Sequence, residues 1–221
     1  MMVIGLTGSI GMGKSTAATM LRRLGVPVFE ADREVHALLG KTGRAVADVA
    51  ARFPDVAAGN GIDRGRLGEK VFSDERARRD LEAILHPLVR AAEWRFLKAA
   101  AMRRAKVVVL DLPLLFETGA DRVCDATVVV TAPAFLQEER VLRRTHMTRA
   151  RFESIRASQM SDAEKRRRAD FVVPTGAGVG TTLKSLRRIV TLARAAEESR
   201  GRPSRTWLRM ERVARQQGRR S

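Results

Sequence analysis

Near the start of the chain a glycine-rich turn joins two segments of opposite periodicity, and that junction limits the fold more than any other feature. "MVIGLT" (2–7) is a short continuous apolar run, the pattern of a strand buried on both faces. From Lys14 onward, Ala17, Met20, Leu21 and Leu24 recur at i, i+3, i+4 and i+7, which puts them on one face of a helix. Gly25 stops that helix, as a residue able to take the left-handed cap conformation. The turn between strand and helix is "GSIGMGK" (8–14).

The same alternation continues down the chain. "VPVFEAD" (26–32) reads as a second strand ending in two carboxylates, Glu30 and Asp32. Residues 33–102 are mostly helical in pattern, with breaks at "GKTG", "FPDVAAGNG" and "HP". "KVVVLDLP" (106–113), "CDATVVVTAP" (124–133) and "FVVP" (171–174) read as three further strands. A helical pattern from Ala134 to about Arg168, broken near "THMT", separates the last two, and a closing helix covers 179–198. Strands that are apolar throughout and separated by helices predict a parallel sheet covered on both faces, a doubly wound α/β domain. Ligands in such sheets sit beyond the carboxyl ends of the strands. The glycine-rich turn, Asp32 and Asp111 all fall at such ends.

Gly8 to Ser15 satisfies G-x-x-x-x-G-K-[ST], with a strand before it and a helix after it. Its glycines let successive backbone N–H groups turn inward around a phosphate, and the positive end of the helix dipole adds to the attraction. Gly11, Met12, Gly13, Lys14, Ser15 and Thr16 are the expected nucleotide-binding residues. Lys14 is expected to reach the β- and γ-phosphates, and the Ser15 hydroxyl to ligate Mg²⁺. No [NT]-K-x-D guanine-reading motif is present, so ATP is favoured over GTP. The motif does not separate a kinase from an ATPase. A kinase needs a group to orient and deprotonate an acceptor hydroxyl, and Asp32 is the candidate. Asp32 also reads as a helix N-cap for "REVHALL", and one aspartate can do both.

Composition narrows the setting. The formal net charge is +17, with much of it in "SRGRPSRTWLRMERVARQQGRRS" (199–221) and "EKRRRAD" (164–170). Such an excess suits nucleic acid, an anionic membrane surface or anionic small substrates. The tail carries one aromatic, Trp207, and so no stacking platform for a nucleic acid; its Trp207, Met210 and Val213 at three-residue spacing fit a charged helix. No apolar run approaches the roughly 20 residues of a membrane span. One cysteine, Cys124, leaves no internal disulfide framework. Together with the lack of a signal-peptide pattern, these features set the expected location as the cytoplasm.

Taken in order, "IGLTGSIGMGKST", "LGVPVFEAD", "LEAILHPLVR", "LPLLFETG", "VVVTAP…QEERVLRR" and "IRASQMS…ADFVV" resemble the dephospho-coenzyme A kinase family, from about residue 3 to residue 175. The resemblance implies a P-loop fold with a core sheet, a helical substrate-binding part at about 33–105 and a lid at about 134–168, within a domain of residues 1–198. It implies transfer of the γ-phosphoryl of ATP, with Mg²⁺, to the ribose 3′-hydroxyl of dephospho-CoA. Asp32 matches the family's acidic residue at the acceptor and is implied as general base. His86 and Arg90 match the substrate-binding part. Arg140 and Arg144 match lid arginines that stabilise the transferring phosphoryl, with Arg144 also on the nucleotide; read from residues alone, they are a solvated basic face with Glu138 and Glu139 as partners. Asp111 resembles a Walker B carboxylate able to hold Mg²⁺. Three departures stand out: Glu30 in "FEAD", Lys165 in "KRRRAD" where an arginine is common, and Thr175 where an asparagine is usual. The competing readings are a nucleic-acid-associated ATPase and a kinase for another small hydroxyl substrate.

Overall fold

The computed structural model describes residues 1–145 and 147–199. The basic tail with Trp207, Met210 and Val213 lies outside the described residues. In chain order the elements are β1 (Met2–Thr7), α1 (Lys14–Arg23), β2 (Val28–Glu30), α2 (Ala31–Leu39), α3 (Val46–Arg52), β3 (Ala57–Ala58), β4 (Gly61–Ile62), α4 (Arg64–Ser73) and α5 (Glu75–Met102). They continue with β5 (Val107–Asp111), β6 (Ala126–Thr131), α6 (Ala134–Leu142), α7 (Arg149–Ala157), α8 (Asp162–Arg168), β7 (Phe171–Pro174) and α9 (Val179–Ser199). The described chain divides into two compact units, one of Met1–Phe29 with the described residues from Ala99 onward, the other of Glu30–Lys98.

The first unit is built on a five-stranded sheet in the order β2-β5-β1-β6-β7. The β1–β5, β1–β6 and β6–β7 pairs are all parallel. Alternate side chains settle the two faces. Met2, Ile4, Leu6, Val107, Val109, Val128, Val130 and Val173 pack with Ala17, Met20 and Leu21 of α1 and Leu186, Ile189 and Val190 of α9. On the opposite face Val129 packs with Leu115 and Phe116, and Met160 and Ala169 close over them. The expected two-sided burial is therefore present.

Behind this second face lies an ion pair whose lysine is fully buried. Lys165 of α8 is 0% exposed, and its Nζ meets Glu117 Oε1 at 2.9 Å. The same ammonium donates to the Pro113 carbonyl at 3.2 Å, which also accepts from Thr7 Oγ1 at 2.9 Å. Burial alone would raise the Glu117 carboxyl, but hydrogen bonds from Lys165, from its own backbone N–H and from that of Met160 outweigh it and hold the carboxyl below its usual range. The position where an arginine is common thus carries a lysine whose compact ammonium is enclosed on all sides.

The second unit has its own core, with Phe53, Val49 and Val56 fully buried among Leu38, Leu39, Leu67 and Leu85. Asp63 caps α4 through the N–H groups of Gly65 and Arg66, and Asp74 caps α5 through those of Arg76 and Ala77.

Three expectations change. The "HP" break is absent: α5 runs through Pro87 for 28 residues. Ala83 and Pro87 are both exposed, so the carbonyl that Pro87 cannot serve lies on the solvent side of the helix. The second strand covers only Val28–Glu30, because α2 begins at Ala31. The segment from 134 to 168 is three helices, with a second break at Ser158–Ser161, and "FPDVAAGNG" forms a 3-10 turn and the small β3–β4 hairpin.

Two stability measurements follow. Glu117→Ala leaves the Lys165 charge buried without its partner and should cost about 3–5 kcal/mol. Lys165→Met should cost less, since Glu117 keeps the Met160 N–H; equal denaturation midpoints for the two variants would contradict this account. Glu93 of α5 has its carboxyl pushed up to about 6 by burial, partly opposed by Arg90. A carboxyl raised in the folded state stabilises the fold while protonated and loses that contribution as pH rises through the folded value. Glu93→Gln should therefore stabilise at pH 7 by up to about 2 kcal/mol and show no gain near pH 4, in denaturant titrations at both pH values.

Candidate active site

The loop from Gly8 to Gly13 leaves the carboxyl end of β1 and feeds α1. Gly11 and Gly13 have φ of +78° and +85°, a region in which a side chain is strained. Gly11 is also pressed against α6: a Cβ there would lie 2.5 Å from Val141 Cγ2 and 2.8 Å from the Gln137 carbonyl oxygen. Gly13 holds the cap position of α1, with no side-chain cap and no acid in the first turn. Helices α4, α5, α7 and α8, by contrast, have first-turn N–H groups served by the side chains of Asp63, Asp74, Thr148 and Ser161. At α1 the first-turn N–H groups and the positive dipole end face outward instead, with Ser15 and Thr16 exposed.

The back of the loop is held by three elements. Gln137 Nε2 of α6 donates to the Ile10 carbonyl at 2.8 Å, and the Ile10 N–H donates to Gln159 Oε1 at 3.0 Å. Thr175, just past β7, donates its hydroxyl to the Met12 carbonyl at 2.8 Å. Within the loop, Met12 N–H donates to the Ser9 carbonyl at 3.1 Å. A cavity of about 600 Å³ adjoins the loop, lined by Ser9, Gln137, Glu153, Arg156, Gln159 and Asp162 among others. The hydroxyl of Ser9 is buried and has no partner among the described residues.

Lys14 and Asp111 come together. Lys14 Nζ lies 2.5 Å from Asp111 Oδ1, and the two side chains are 15% and 3% exposed. Asp111 ends β5, opposite Leu6 of β1, so parallel pairing brings its carboxylate level with the loop. Buried at the end of an apolar strand, that carboxylate needs compensation, and Lys14 supplies a cation to it.

Arg140 does not pair with its neighbours. Glu138 pairs with Arg149, and Glu139 with Arg143 at 2.6 Å. Arg140 instead donates to the Thr175 hydroxyl at 3.1 Å and to the Thr175 carbonyl at 2.9 Å. Arg144 lies just past the end of α6 at Leu142 and is exposed, with its N–H closing a tighter turn on the Val141 carbonyl.

Asp32, His86 and Arg90 belong to the Glu30–Lys98 unit. Asp32 neither ends a strand nor caps a helix: it is the second residue of α2, exposed, and the cap position is held by Glu30. His86 and Arg90 lie one turn apart on α5 and are both exposed.

Sequence reasoning missed Gln137, Gln159 and Glu117, and gave Lys165 and Thr175 no structural role. One signal was available for Gln137. It shares a helix face with Val141, and a polar side chain on an otherwise buried face requires a buried partner.

The dephospho-CoA kinase family model matches residues 2–179. A dephospho-CoA kinase of Rhodospirillum rubrum is 55% identical over 93% of this chain and 98% of its own length. One from Paramagnetospirillum magneticum is 57% identical over 89% of this chain and 92% of its own. Among solved structures, a Thermus thermophilus protein is 35% identical, with a TM-score of 0.74, covering 86% of this chain and 96% of that one. The dephospho-CoA kinase of Campylobacter jejuni shares the fold with a TM-score of 0.63 at 24% identity, over 88% of this chain and 98% of its own. With its phosphate loop intact and this likeness spanning nearly the whole described chain, the protein belongs to the dephospho-CoA kinase family.

Proposed function

We propose that the chain transfers the γ-phosphoryl group of ATP to the ribose 3′-hydroxyl of dephospho-CoA, giving coenzyme A and ADP, with the roles of individual residues as follows. The observation that carries this reading is an uncapped, lysine-headed phosphate loop in a member of this family. The loop amides and the start of α1 hold the phosphates by fixed dipoles that need no reorganisation. Lys14 exchanges Asp111 for the β- and γ-phosphates when nucleotide binds. Its charge then travels a short distance, from one anion to another.

Mg²⁺ that arrives with ATP suits the oxygens of Ser15 and Asp111. Both are hard donors, and two protein ligands fit an ion that keeps waters and phosphate oxygens for its other positions. Once bound, it would neutralise charge on the phosphates. The exchange of Lys14 away from Asp111 would take the ammonium off Oδ1 and open that oxygen to the ion.

Asp32 takes the proton of the acceptor hydroxyl, whose oxygen attacks the γ-phosphorus in line. The bond to the β-phosphate oxygen breaks and ADP leaves. An exposed aspartate early in α2 suits a base that must meet a substrate arriving from solvent. Arg140 stabilises the equatorial charge after leaving Thr175, and Arg144 binds the nucleotide. His86 and Arg90, exposed and one turn apart on α5, bind acceptor phosphates. Both substrates are small polyanions, and no helix among the described residues is long and apolar enough to cross a membrane. The expected setting is the cytoplasm.

The test is acceptor-dependent ADP release from ATP and Mg²⁺, with the product mass raised by one phosphoryl group over dephospho-CoA. ADP release stimulated by DNA or RNA instead would favour the ATPase reading. Asp32→Asn should lower kcat by about 10²–10⁴-fold with ATP affinity retained; near-normal turnover would remove Asp32 from the mechanism. Lys14→Ala should weaken ATP binding and turnover together, and unchanged kinetics would overturn the loop assignment.

A further inference from the structure

Ile10 is the crest of the phosphate loop, and both of its main-chain groups are bound by glutamine side chains. A backbone N–H only donates and a carbonyl only accepts, so the polarity of each amide is forced. Gln159 must present its oxygen and Gln137 its nitrogen. Neither Ile10 group is then left for a phosphate, which falls to the amides that follow.

The two glutamines differ in their footing. Gln137 is 5% exposed on α6, beside the point where Gly11 presses on that helix. Gln159 lies in the short break between α7 and α8. The next residue, Met160, gives its N–H to Glu117 Oε1 at 2.9 Å, and Glu117 is the partner of Lys165. The contacts therefore run without a gap from Lys165 through Glu117 and Met160 to Gln159 and the loop crest. Glu117 in turn lies six residues beyond Asp111, the partner of Lys14.

We propose that Gln159 is a positioning residue, which makes the shape of the phosphate loop depend on the seating of the α7–α8 break, with Gln137 as its fixed counterpart. When the break is seated, the Ile10 N–H is satisfied and the amides after it are aligned before nucleotide arrives. When the break lifts, that N–H loses its acceptor and the crest is freed. Loop organisation and nucleotide affinity are then linked to one side-chain oxygen. This inference rests on the reading of the loop as the ATP site.

The test compares Gln159→Met, which keeps the length and removes the acceptor, with Gln159→Glu, which keeps an acceptor. Both are made in the full chain and assayed with ATP, Mg²⁺ and dephospho-CoA, with thermal midpoints measured alongside. Gln159→Met should raise the KM for ATP roughly three- to tenfold, with a smaller change in kcat and an unchanged midpoint. Gln159→Glu should recover most of that loss. Gln137→Glu adds the same charge but sets a carboxylate against the Ile10 carbonyl, so it should bind ATP more weakly than Gln159→Glu. A wild-type KM in Gln159→Met would overturn the proposal. So would equal impairment in the two Gln159 variants, which would assign the effect to packing or charge; this pair decides the matter even if Gln137→Glu fails to fold. Absence of dephospho-CoA-dependent ADP release in the wild type would instead sink the functional reading, and this inference with it.

Discussion

The ion pair of Lys14 and Asp111 sits where two adjacent parallel strands end, and the site is organised around it. A carboxylate at the buried end of an apolar strand is costly by itself, and an ammonium at the head of a helix is repelled by the dipole there. Each removes the other's difficulty. A ligand that compensates both groups can undo the pair. A nucleoside triphosphate with its cation brings the two charges required.

Around that pair the loop is set by what lies behind it. Gly11 cannot carry a side chain, because α6 occupies the space, and Met12 is tied to Thr175 beyond β7. Arg140 is tied to the same threonine, so one hydroxyl links the loop, the last strand and a candidate phosphate-binding arginine. Thr175 therefore has a local role, as a hub between backbone carbonyls and a guanidinium. The pair of buried Lys165 and Glu117 does comparable work on the other side, fixing the break between α7 and α8 to the chain that leaves β5.

Much of this was legible in the chain itself. Continuous apolar runs such as "VVVL" and "TVVV" announced strands covered on both faces, because only a parallel sheet under helices buries such runs fully. The strand, glycine loop and helix around Lys14 announced an anion site through backbone chemistry that side-chain packing does not alter. Errors arose where a local rule met a wider context. Pro87 removes one hydrogen bond, but α5 continues through it with Ala83 and Pro87 both on the exposed side. Asp32 followed a run that looked extended, but α2 had already begun at Ala31.

The sequence alone determined the fold class, the phosphate loop and the family, since each depends on residue types at short, fixed spacing. Only the tertiary structure decided which groups meet across long separations: Lys14 with Asp111, Arg140 with Thr175, Lys165 with Glu117, and Ile10 with Gln137 and Gln159. Those partners lie on different strands and helices. Sheet order and the packing of helices on the sheet bring them together, and neither is written in any local pattern of the chain.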